Sequence, residues 1–135
     1  MKYLILLFLI LTSLFANNSK EILLLHSYNS GLKWSDGITQ GIKEVFEKYP
    51  QFELTIEYMD SKKIDTKEYL ETLTNLYEKK FSNRKYDAII TADNYAYKFA
   101  LQNHKKLFNN SNIVFCGVEN FVKNSIPKNS TSYIV

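Results

Sequence analysis

Polar and aromatic side chains that could bind a small molecule are concentrated in four short segments of the sequence. These segments are residues 26–37, 60–63, 91–95 and 117–121. Their hydroxyls, amides, carboxylates and rings can hold a ligand carboxylate, pair with an ammonium group and stack on an apolar side chain. The first segment is longer than a turn needs, although Ser27, Asn29 and Asp36 also suit turns and caps. Asp93 and Asn94 also suit the first turn of a helix.

Catalysis by the same segments is an alternative from a different functional class. An exported hydrolase-like enzyme would use His26, Ser27 or Cys116. A histidine at a strand end is more often packed in a core, and a cysteine nucleophile needs a base and an electropositive setting. The sequence lacks the glycine-rich nucleotide motifs and the common hydrolase and metalloprotease motifs. It therefore predicts a non-catalytic protein with no cofactor and no metal site.

The candidate segments follow the strands of a predicted strand–helix alternation. The continuous apolar run at residues 22–25 predicts a strand buried on both faces, and apolar residues three and four apart from Trp34 to Tyr49 predict a helix. Ser35 or Asp36 is the predicted N-cap of that helix. The predicted strands are 21–27, 52–59, 86–91 and 112–116, with a fifth from 131, and the predicted helices are 34–49, 65–81 and 94–107.

This alternation defines the predicted fold class. Short connections between strands and helices favour right-handed crossovers and a parallel sheet covered on both faces. We therefore predict an α/β protein with a Rossmann-like three-layer parallel sheet. Ligands of such sheets bind at the carboxyl ends of the strands, which is where the candidate segments fall.

The N-terminal segment predicts export. Residues 1–16 combine Lys2, an apolar run and the small residue Ala16, which is the pattern of a signal peptide, with an uncleaved anchor as the alternative. We expect a periplasmic or otherwise extracytoplasmic protein that meets the membrane only through this segment.

Composition limits the partners further. The 135 residues include 17 Lys and Arg and 14 Asp and Glu, a net charge of +3, and the basic residues are scattered, which disfavours nucleic acid. The single cysteine excludes an internal disulfide and a cysteine zinc site.

Four stretches of the sequence resemble one protein family. They are ILLLHSYNSGLKWSDGITQGI (22–42), EYMDSKK (57–63), YDAIITADNYA (86–96) and VFCGVENF (114–121). In order and composition they resemble the extracytoplasmic ABC-transporter substrate-binding proteins of type I periplasmic-binding-protein fold. The same module is similar to the sensor region of some bacterial histidine kinases and diguanylate cyclases. The resemblance covers residues 20–135 and implies a first ligand-binding lobe, truncated before a second lobe.

The resemblance also implies a function and a site. It implies non-catalytic binding of a small solute, such as an amino acid, as the substrate-binding protein of an ABC transporter, with its permease as partner. The alternatives are the periplasmic sensor domain of a histidine kinase or diguanylate cyclase, followed by signalling domains, and the exported hydrolase-like enzyme. With the first segment included, the candidate ligand-binding residues are Ser27, Tyr28, Asn29, Trp34, Asp93, Asn94, Glu119 and Asn120.

Overall fold

The computed structural model describes residues 19–119, in which strands and helices alternate along the chain. The elements are β1 (Lys20–His26), α1 (Lys33–Phe46), β2 (Phe52–Tyr58), α2 (Lys67–Phe81), β3 (Ala88–Ala92), α3 (Asp93–Gln102), α4 (His104–Phe108) and β4 (Asn112–Cys116). The strands form one four-stranded, all-parallel sheet flanked by helices. The predicted α/β class, a single Rossmann-like lobe, is confirmed.

The order of the strands brings the candidate segments to one edge of the sheet. The order is β2-β1-β3-β4, so that β1 lies between β2 and β3. His26, the last residue of β1, pairs with Tyr58 and Ala92, and Ala92 pairs with Cys116. The four strands therefore end at the same level, and the loops after them meet. The prediction that the first and third strands are neighbours is confirmed, as is the edge position of β2.

The main hydrophobic core lies on the face covered by α2, α3 and α4. Leu23 and Leu25 of β1 and Phe115 of β4 are at most 2% exposed there. They pack with aromatic residues of the three helices, namely Tyr77, Phe81, Tyr97, Phe99 and Phe108. Complete burial of each large apolar side chain contributes about 1.5 to 3 kcal/mol to the free energy of unfolding. This core therefore holds β1 and β4 in place beneath the loops that follow them.

The opposite face of the sheet is covered by α1, and it contains a buried polar contact. The helix presents the small side chains of Ser35 and Thr39 to the sheet, where both are buried. The Thr39 hydroxyl lies 2.9 Å from Nε2 of His26, which is also buried. The predicted helix is present, but part of its apolar stripe faces water, since Trp34 and Val45 are about half exposed.

Two details of the predicted helices are wrong. The N-cap of α1 is Leu32, and Ser35 and Asp36 lie inside the first turn. The Asp36 carboxylate accepts a hydrogen bond from the Gly31 amide at 3.0 Å, so it stabilises the entry to the helix from within. The helix predicted at 94–107 is broken at Asn103, whose backbone is not helical and whose side chain donates to the Phe99 carbonyl.

Several predictions concern residues outside the described range. The signal peptide at 1–16, the loop before the fifth strand and the fifth strand itself all lie there. Between residues 19 and 119, no helix has the length and apolar character that crossing a bilayer requires.

Candidate functional site

A shallow depression of about 550 Å³ lies where the loops after the four strands meet. Its lining residues are Tyr28, Leu32, Trp34, Lys62, Asp93, Gly117, Val118 and Glu119. A larger groove of about 740 Å³ runs beside α2 and α3 and is lined by acidic, basic and neutral side chains. We assign the candidate site to the depression, because ligands of parallel α/β sheets bind at the carboxyl ends of the strands.

A hydrogen bond between Trp34 and Asp93 joins the first and third loops across the depression. The indole Nε1 of Trp34 donates to Oδ2 of Asp93 at 2.9 Å. The two residues are 59 positions apart in the sequence, so this contact exists only because β1 and β3 are adjacent. Trp34 as a whole residue is 52% exposed, so part of its surface is accessible to a ligand.

Asp93 has an unusual backbone conformation. Its φ is +73°, in the left-handed region that costs a non-glycine residue about 1 kcal/mol. Aspartate and asparagine tolerate this region better than most residues, and strained positions of this kind cluster at binding sites. The N-cap of α3 is Ala92, without a side-chain cap, so the expected capping role of Asp93 is not observed.

The depression has a negative electrostatic character on the side of β3 and β4. Burial raises the pKa of Asp93, the hydrogen bond from Trp34 opposes this increase, and the nearby Glu119 carboxylate adds to it. The pKa of Tyr28 is also raised, by burial and then by Asp93 and Glu119. Both raised pKa values mean that additional negative charge at the site is energetically unfavourable. A ligand group that approaches these two carboxylates is therefore favoured if it is positive.

Among residues 19–119, Lys62 is the one cationic residue that lines the depression. Nζ of Lys62, in the loop after β2, lies 5.4 Å from the centroid of the Tyr28 ring. The neighbouring loop residue Lys63 has a different partner, because its Nζ lies 3.4 Å from the Asp60 carboxylate. Positive and negative groups thus face the depression from different strands.

Gly117 allows the loop after β4 to pass close to the Trp34–Asp93 pair. Its φ is +66°, which favours glycine. A Cβ atom at this position would lie 3.1 Å from Cζ2 of Trp34 and 3.2 Å from Oδ1 of Asp93. The absence of a side chain is therefore part of the geometry of the site.

Substitution of Gly117 by alanine should disturb the site more than it destabilises the fold. We expect a stability loss of about 1 kcal/mol from the positive φ, and a displaced indole because the half-exposed Trp34 can move away. The measurements are urea unfolding and the emission of Trp34, the sole tryptophan. Gly31→Ala is the matched control, because Gly31 has a φ of +81° but its Cβ would meet nothing within 4 Å. Wild-type emission from Gly117→Ala would contradict the expected displacement.

Of the predicted site residues within the described range, four line the depression and three do not. Tyr28, Trp34, Asp93 and Glu119 line it together. Ser27, Asn29 and Asn94 lie outside its lining, and Asn120 is outside the described range.

Ser27 supports the site from below. It is 0% exposed, and its hydroxyl donates to the Ala92 carbonyl at 2.7 Å and accepts from the Ala96 amide at 2.8 Å. It thereby fastens the end of β1 to the first turn of α3. The predicted ligand contact of Ser27 does not match this placement, because its hydroxyl is already engaged within the fold.

Asn29 and Asn94 lie beside the depression. The Asn29 amide donates to the Ser30 carbonyl at 2.7 Å, so it shapes the turn before α1. Asn94 is half-buried as the second residue of α3.

Four lining residues are not among the predicted site residues: Leu32, Lys62, Gly117 and Val118. Lys62 belongs to the predicted strand-end loop at residues 60–63, and the signal that could have identified it is a flexible cation in the loop after an edge strand. Gly117 directly follows β4, and a glycine at that place indicates close approach of the backbone to another group.

The residues of the catalytic alternative are each held by a structural contact. His26 bonds to Thr39, and its ring stacks on Tyr58 with centroids 4.9 Å apart. Burial lowers the pKa of His26 to about 4, although the Asp36 carboxylate partly opposes this shift. The Cys116 thiol donates to the Thr91 carbonyl at 3.7 Å, and its pKa is raised by burial and then by Asp93. Across residues 19–119, no cluster of His, Cys, Asp and Glu could hold a metal ion.

The chain was also compared with known proteins. No family model, no curated protein and no solved structure matches it.

Proposed function

We propose that the chain is a non-catalytic, extracytoplasmic binding lobe for a small solute that carries an ammonium group, such as an amino acid. In this proposal it is the substrate-binding component of an ABC transporter and delivers the solute to a permease. The observation that carries the proposal is the carboxylate of Asp93, which Trp34 holds in a strained backbone position beside Glu119 at the carboxyl ends of the strands.

The chemistry of the depression favours a cationic nitrogen next to an apolar group. The partly buried carboxylate of Asp93 attracts an ammonium group more strongly than it would in water, and the exposed carboxylate of Glu119 adds negative charge nearby. The exposed part of Trp34 and the half-buried ring of Tyr28 offer aromatic surface for the apolar part of the ligand. Helix α1 begins after Leu32 without a side-chain cap, and the amides of a helix N-terminus are suited to an anionic group.

The open shape of the depression suits one half of a cleft. A ligand in it would keep one side in water, and closure by a second α/β lobe would remove that water and report occupancy. A non-catalytic role is supported by the engaged hydroxyl of Ser27 and by the raised pKa of Cys116, which keeps the thiol protonated at neutral pH.

The test is a ligand titration of the purified chain, followed by the emission of Trp34 and by calorimetry. Because Trp34 is the single tryptophan and lines the depression, its emission reports on this site. L-Phenylalanine is expected to bind saturably, whereas 3-phenylpropionate, which has the same ring and carboxylate but no ammonium group, is expected not to. If none of the twenty standard amino acids gives heat or an emission change, the proposal is wrong.

A further inference from the structure

We infer that Lys62 is a specificity-determining residue that binds an anionic group of the ligand, so that the site selects zwitterions over simple amines. This inference rests on the proposed function, and it concerns the part of the ligand that the carboxylates of the site do not recognise. A primary amine with a carboxylate nearby is the class of ligand that it names.

The backbone on the N-terminal side of Lys62 is fixed to the central strand. The Met59 amide donates to the His26 carbonyl at 2.8 Å, and the Ser61 amide donates to the Ser27 carbonyl at 2.7 Å. Ser61 is also 2% exposed, so its side chain anchors the loop inward. Lys62 is the next residue after this stretch. Its backbone is therefore held at the rim of the depression, and only its side chain is left to move.

The ammonium of Lys62 is available for a stronger partner. Within residues 19–119 it forms no salt bridge, whereas the ammonium of Lys63 pairs with Asp60. Its observed neighbour is the ring of Tyr28, and a cation–π contact at an exposed site is weak. A charge-assisted hydrogen bond to a carboxylate is stronger, so a ligand that brings a carboxylate to the Tyr28 ring would recruit Lys62.

The topology places this cation across the site from the acids. Lys62 follows β2, whereas Asp93 and Glu119 follow β3 and β4, and β1 lies between the two sides. Strand spacing puts the backbones of β2 and β3 about 10 Å apart, and the flexible four-carbon stem of lysine can cover part of that distance. A ligand over Tyr28 would then meet negative charge at one end and positive charge at the other.

The experiment compares two ligands and four proteins, all as the full chain: the wild type, Lys62→Gln, Lys62→Arg and Lys63→Gln. L-Phenylalanine carries both charged groups, and phenethylamine has the same ring and ammonium group without the carboxylate. In Lys62→Gln, the dissociation constant for L-phenylalanine should rise about tenfold, the effect of losing one charged hydrogen bond, while that for phenethylamine should stay within about twofold. Lys63→Gln, which removes the adjacent positive charge, should change both constants by less than about twofold.

The outcomes separate this inference from the proposed function. Restored L-phenylalanine affinity in Lys62→Arg, with phenethylamine unaffected throughout, supports the assignment. If Lys62→Gln weakens both ligands equally, or weakens neither, the assignment is wrong while the binding function stands. If neither of these ligands nor any other standard amino acid binds the wild-type chain, the proposed function fails, and the role of Lys62 fails with it. Circular dichroism of each variant shows that the fold is retained.

Discussion

Replacing Asp93 by asparagine is expected to weaken the binding of an amino-acid ligand by about 1.5 to 3 kcal/mol, the range for losing a hydrogen bond to a charged group, because the open depression leaves one side of the ligand in water. The substitution changes the charge and little else. The amide oxygen of asparagine can still accept the hydrogen bond from Trp34, and asparagine tolerates the φ of +73°. The measurement is calorimetric titration with L-phenylalanine, next to a thermal unfolding curve without ligand.

The unfolding curve shows whether the loss of ligand affinity comes from the changed site or from a destabilised fold. Because Asp93 is not the N-cap of α3, we expect its substitution to shift the unfolding midpoint little. Asp65→Asn is the control, since Asp65 is exposed, contacts Tyr95 and does not line the depression. If Asp93→Asn binds the ligand with wild-type affinity, the ammonium site would have to be reassigned to Glu119.

The backbone of the site could be predicted from the sequence because each strand carries its own signal. The apolar run at residues 22–25 is buried as expected, and the strand predicted at 112–116 has the observed bounds. Once alternating strands and helices imply a parallel sheet, the carboxyl ends must share one edge. Tyr28, Trp34, Asp93 and Glu119 were therefore placed together without any contact being known.

The direction of individual side chains could not be predicted in the same way. Ser27 and Tyr28 are consecutive polar residues after a strand, yet Ser27 is buried beneath the site and Tyr28 lines it. Which of two neighbours points inward depends on the turn, and the turn depends on hydrogen bonds such as the one between Ser27 and Ala96. Lys62 was missed for a related reason, since its place opposite Asp93 depends on the loop after β2 being fastened to β1.

A second large effect is expected from the buried histidine. As the pH falls from 6.5 to 4, the free energy of unfolding should decrease by up to about 3 kcal/mol because of His26 alone. In the folded protein burial lowers the pKa of His26 from 6.5 to about 4, so the unfolded chain takes up the proton first. Protonation then favours unfolding over this range, and the contribution of His26 is complete above pH 6.5. Urea unfolding at closely spaced pH values measures the slope.

Matched variants separate the contribution of His26 to the pH dependence of stability from the contribution of the acids that titrate in the same pH range. His26→Gln keeps a polar partner for Thr39 but cannot take up the proton, so its stability should depend less on pH than that of the wild type. His104→Gln is the control, because it removes the other histidine, which is also buried and contacts the Ser111 carbonyl. The raised pKa of Asp93 acts in the opposite direction, since its carboxylate is disfavoured by folding, and it is retained in both variants. If His26→Gln and the wild type lose stability in parallel between pH 6.5 and 4, the imidazole is not the group whose protonation destabilises the contact between α1 and β1.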